Sequence, residues 1–159
     1  MNFDKQFEQI GKNREKLLAL ENEGRYVFHG SMEEIDVLEP RQAEKQNKET
    51  GEMEPDGDLA VFATPHADTA IFRSLINAKD VSGESSSGFG MGDNGLHFST
   101  TQNLLDAAKT KRGKVYVLDK AQFSNFEGTQ CRSFEDVKPI EVIEVDFNDL
   151  PPGIKLIES

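Results

Sequence analysis

The sequence predicts an α+β domain of antiparallel sheets with a few helices packed on them. Two observations carry that prediction. Short apolar runs bounded by Gly, Pro or polar residues recur along the chain, and helical spacing is confined to three segments. The run Ile140-Glu141-Val142-Ile143-Glu144-Val145 intersperses apolar and acidic residues, as a half-buried antiparallel strand with its glutamates in water would.

In chain order, residues 3 to 20 read as an amphipathic helix with Phe3, Phe7, Ile10, Leu17 and Leu18 on one stripe. Gly24 stops it. Tyr26-Val27-Phe28-His29 is a short strand ending in a Gly30-Ser31 turn. From Ala43 to Asp58 six acids, two lysines, Gly51, Gly57 and Pro55 leave only Met53 to bury, so this segment is expected to be an exposed loop. Leu59 to Ala63 is a second strand. Thr64-Pro65 reads as an N-cap with proline at the first helical position, opening a helix to about Ala78 that buries Ile71, Phe72, Leu75 and Ile76. Residues 82 to 95, rich in Ser and Gly, are expected to be a second exposed loop. Leu96 to Phe98 is a brief strand, and Ser99 with Gln102 suggests a capping box opening a helix to Lys109. Val115 to Leu118 is a strand, and Pro151-Pro152 precedes a last strand from Ile154 to Ile157.

At 159 residues the chain is the size of one domain and long enough to bury a core; eleven Phe and no Trp make Phe the main aromatic of that core. The net charge of −11 argues against nucleic acid as a partner, because phosphate binding needs a basic face. Cys131 is the only cysteine, which excludes an intrachain disulfide and fits a reducing compartment. No apolar run has the length of a signal peptide or a bilayer span. The expectation is a soluble, cytoplasmic domain.

Chemistry-bearing motifs are few. There is no CxxC, HExxH or calcium-loop spacing, hence no expected metal. The Ser/Gly run lacks the GK[ST] ending of a phosphate loop, and no GxSxG frames a nucleophile. What remains is His29-Gly30-Ser31 at a strand end, where an imidazole lies beside backbone that a flat ligand can approach closely.

Three segments, YVFHGSMEEIDVLEPRQ, LAVFATPHADTAIF and GKVYVLDKAQFSNFEGTQCRSFEDVKPIEVIEV, resemble successive blocks of the small bacterial rifampin-type ADP-ribosyltransferases. They follow the family's order and cover about half the chain. The resemblance implies an ADP-ribosyltransferase-like split antiparallel β-sandwich with an N-terminal helix and short flanking helices. It also implies NAD as substrate and a small-molecule or protein acceptor. Carried over by position, His29 would hydrogen-bond the NAD ribose, and the Gly30 backbone would pair with the carboxamide within the His29-Gly30-Ser31 motif. Phe62 would stack on nicotinamide where the family has tyrosine. Arg41 would suit the pyrophosphate, and Thr64 would contact the ligand besides capping its helix. Glu127 falls nearest the family's catalytic acid, with Asp119 and Glu135 as substitutes and Gln130 where related domains could carry that acid.

Each residue has a plainer role to set beside this one. Phe62 could be core, Arg41 an exposed turn residue, Cys131 a small buried hydrophobe, and His66 and His97 surface or cap residues. Two other functions stay open: a binding module that keeps the fold without the reaction, and an RNA 2′-phosphotransferase, which needs more basic residues than this acidic chain displays. The acceptor and the oligomeric state are not legible.

Overall fold

The computed structural model describes residues 11–46 and 49–158. It is an α+β structure with three short sheets. Its helices are α1 (Lys12–Asn22), α2 (Ala67–Leu75) and α3 (Gln102–Ala108). Its strands are β1 (Tyr26–Ser31), β2 (Arg41–Gln46), β3 (Met53–Ala63), β4 (Ser87–Gly92), β5 (Gly95–Thr101), β6 (Arg112–Asp119), β7 (Ser124–Glu127), β8 (Gln130–Ser133), β9 (Glu141–Asp146) and β10 (Lys155–Ile157). Among the described residues no helix is long and apolar enough to cross a membrane.

The central sheet has the order β1-β6-β9, and its two faces are buried by different partners. Phe28, Val115, Val117, Ile143 and Val145 pack against Leu17 of α1 and Ile71, Phe72 and Leu75 of α2. On the other face, Val27, Tyr116 and Leu118 pack with Val61, Ala63 and Cys131 of the sheet β2-β3-β8-β7. Burial on both faces explains the unbroken apolar run in β6. The third sheet, β10-β5-β4, joins the helical side through Phe98.

Helix α2 lies so close to the central sheet that two positions tolerate only glycine. A Cβ on Gly30 would stand 2.0 Å from the Ala70 carbonyl oxygen, and one on Gly113 would stand 2.3 Å from Ser74 Oγ. Strand β1 therefore runs through Gly30 and Ser31, where the sequence suggested a turn.

Several sequence expectations are corrected. Residues 1 to 10 of the first expected helix lie outside the described residues; its remainder runs as Lys12–Asn22. The expected loop from Ala43 to Asp58 falls largely in the antiparallel ribbon of β2 and β3. Such a ribbon is held by its backbone ladder, which apolar periodicity does not reveal. The Ser/Gly run likewise contains β4, paired with β5 across the two-residue turn Asp93-Asn94. Helix α2 starts at Ala67 rather than at Pro65. Thr64 stays extended, its Oγ1 accepts from the His66 N–H at 3.1 Å, and the Ala67 N–H donates to Glu21 Oε1 of α1 at 2.7 Å. The helix ends at Leu75, and Ala78–Asp80 form a separate 3₁₀ turn. Ser99 belongs to β5, so α3 is preceded by Thr101 instead. In β9 the buried parity falls on Ile143 and Val145, which leaves Val142 exposed beside Glu144.

Candidate functional site

Strands β1 and β3 meet once and then part. The Phe28 N–H donates to the Thr64 carbonyl at 2.7 Å, and the Thr64 N–H returns a bond to the Phe28 carbonyl at 2.9 Å. Antiparallel registration would next set Gly30 opposite Phe62, but no bridge forms there. His29 fills the gap instead: its Nδ1 lies 2.7 Å from the Phe62 carbonyl oxygen. A carbonyl only accepts, so Nδ1 carries the proton, and neutral imidazole keeps Nε2 as an acceptor. Alternation along β1 turns the Gly30 N–H and C=O the same way as those of Phe28, into the split.

A cavity of about 210 Å³ occupies this region. His29 and Ser31 of β1, Arg41 of β2, Phe62 of β3 and Arg73 of α2 all reach its wall, as do Glu33 and Glu39 from the segment between β1 and β2. That segment is anchored from below. The buried Tyr116 hydroxyl donates to the Glu33 carbonyl at 2.5 Å and accepts from the Ile35 N–H at 2.8 Å.

Arg41 and Arg73 share this wall with Glu33 and Glu39. Neither Arg41 nor Arg73 forms an ion pair with a described residue, in a chain with 29 acids. Burial is the main cause that lowers the His29 pKa; the Phe62 carbonyl opposes it, and Arg73 and Arg41 add to it. His29 is therefore neutral at pH 7. Two guanidinium groups with no ion-pair partner among the described residues, beside a neutral acceptor, suit a ligand with both phosphate oxygens and hydroxyls. A wider groove of about 740 Å³ elsewhere is lined by Glu84, Asp106 and Glu158, so it repels anions.

Phe62 is not core. Val61 and Ala63 point into the core between the sheets, while Phe62 faces away, half-buried, with the Arg132 guanidinium 5.4 Å from its ring centroid. Directly opposed residues share a face, so Phe62, Arg132 and Gln130 lie on one side of the sheet, and Glu127, paired with Gln130, follows them. Glu127 is exposed on the edge strand and is not part of the cavity wall.

No protein-family model, curated protein or solved structure matches this chain.

Of the residues singled out from sequence, His29, Ser31, Arg41 and Phe62 share the cavity, and the Gly30 backbone faces the split beside it. Thr64 is buried and serves the β1–β3 junction and the turn before α2, outside the wall. Asp119 Oδ1 accepts from the Ala121 N–H at 2.9 Å as a cap, and Glu135 is exposed after β8. Burial holds the Cys131 thiol far from reactivity, its pKa pushed up to about 12. His66 is the residue before α2, and His97 lies across Gly90 on the third sheet. Sequence reasoning missed Arg73, Arg132, Glu33 and Glu39. Arg73 alone gave a signal, as the one basic residue of α2.

Proposed function

We propose that the protein binds NAD in the β1–β3 split and transfers ADP-ribose from it, within an ADP-ribosyltransferase-like split sandwich. The observation that carries this reading is the convergence of His29, Phe62, Arg41 and Arg73, which are distant in sequence, on one cavity beside open backbone groups of Gly30. The cavity is smaller than the roughly 300–1,000 Å³ of pockets for drug-sized ligands, so it suits the nicotinamide riboside half. The pyrophosphate would lie toward Arg41 and Arg73.

In this reading His29 Nε2 accepts from a ribose hydroxyl and the Gly30 backbone pairs with the carboxamide. The Phe62 ring faces the cationic nicotinamide. Transfer breaks the bond between the nicotinamide nitrogen and the ribose anomeric carbon, and the electron pair leaves with nicotinamide. An acceptor lone pair then forms the new bond and the acceptor loses its proton. Positive charge on the ribose grows at the transition state and calls for a nearby carboxylate. Glu127 is the candidate by face, and Glu33 and Glu39 are candidates by proximity.

The exposure of Glu127 and its place outside the wall favour a second reading, a module that binds NAD without turning it over. Calorimetric titration with NAD tests both, beside His29→Ala. Wild type should bind and His29→Ala should lose at least about tenfold in affinity, the cost of one well-placed polar contact. Absence of binding at millimolar NAD defeats both readings. Binding without release of nicotinamide, measured with water alone and with added candidate acceptors, selects the second.

A further inference from the structure

We propose that strand β4 is a dimerisation edge at which two copies of this chain pair antiparallel about a two-fold axis through Phe89. Among the described residues β4 pairs only with β5. The Thr101 N–H donates to the Ser86 carbonyl at 2.9 Å, so the even-numbered residues turn their backbone groups toward β5. Ser87, Phe89 and Met91 therefore turn their N–H and C=O groups outward. Natural edges are guarded by lysine, proline or a bulge. This one has none of them: its sequence is SGFGMG, its register is regular, and Phe89 and Met91 are exposed.

Two features select a second copy as the occupant. The first is self-complementarity. A two-fold axis through Phe89 brings the outward backbone groups of both copies into register, Phe89 opposite Phe89 and Ser87 opposite Met91, with about six intermolecular backbone hydrogen bonds. The second is charge. Copies with a net charge of −11 repel one another, yet residues 85–105 carry a single formal charge, on Asp93. The seam strand and the strand it pairs with are thus nearly free of the acidic charge that makes copies repel. The seam also adjoins the cavity, because the Arg73 guanidinium sits 5.6 Å from the Phe89 ring centroid.

Sedimentation velocity over about a hundredfold range of protein concentration tests this. Wild type should pass from monomer to dimer as concentration rises. Phe89→Lys and Phe89→Glu should each remain monomeric, because like charges meet at the axis, and mixing the two should restore a dimer. Should the Phe89 variants fail the far-UV circular dichroism check for folding, Met91→Pro, which removes an outward N–H, should likewise abolish the dimer. A wild type that stays monomeric throughout overturns the proposal. So does a dimer that folded Phe89→Lys or Met91→Pro leaves intact.

Discussion

The two ends of helix α2 are built on opposite rules. At its start the first amide and the carboxylate are answered. Glu21 accepts from the Ala67 N–H, and Asp68 takes a two-pronged bond from Arg14 at 2.7 and 2.9 Å. At its end Arg73 has no ion-pair partner among the described residues and leans over an exposed phenylalanine beside the cavity. One arginine is spent on holding α1 against α2, and the other has no such partner among the described residues. Satisfied polar groups mark architecture, and the proposed ligand would answer the cation left over.

The largest effect that would sharpen this contrast lies between the two ends. Gly30→Ala forces a Cβ into the Ala70 carbonyl and should destabilise the fold by about 3 kcal/mol in denaturant titration. At the satisfied end, Asp68→Ala should cost about 2 kcal/mol, since the pair is only partly exposed and Arg14 loses its partner. At the open end, Arg73→Ala should change stability by no more than about 0.5 kcal/mol while weakening NAD binding about tenfold. The reverse pattern, with Arg73 structural and Asp68 neutral, would break the comparison.

A smaller effect concerns pH. The folded pKa of His29 is depressed, so the unfolded chain binds more protons below the ordinary histidine pKa of about 6.5. Stability should therefore fall as pH drops through that value. Thermal melts of His29→Asn should show a shallower loss than wild type over the same window. The smallest expected signal is chemical: native Cys131 should resist iodoacetamide near neutral pH and react once the chain is unfolded.

Much of the fold was legible because burial leaves a periodic trace. Ile71, Phe72, Leu75 and Ile76 announced the inner side of α2 and its following residue, and the apolar run in β6 announced a strand covered on both faces. The ribbon of β2 and β3 left no such trace, because a backbone ladder holds it and a ladder has no apolar periodicity. Strand β4 was hidden by its glycines, which read as flexibility until a partner strand is known. At the site, His29, Arg41 and Phe62 were found through motif resemblance. Arg73 was not, since its helical position says only that it points away from the core. Which side chains converge across a split is decided by tertiary pairing, and neither Thr64 nor Glu127 could be assigned to or excluded from the wall without it.

The central claim is that the split between β1 and β3 is the binding site, and the Gly30 amide is the group that reports on it most directly. Its ¹H–¹⁵N resonance should be followed during titration with nicotinamide and then with NAD. The account predicts that Gly30 shows one of the largest shifts in the chain, moving downfield as its N–H gains a carbonyl acceptor, together with His29 and Phe62. A titration in which the Gly30 amide stays still, whether or not shifts appear elsewhere, would contradict the account.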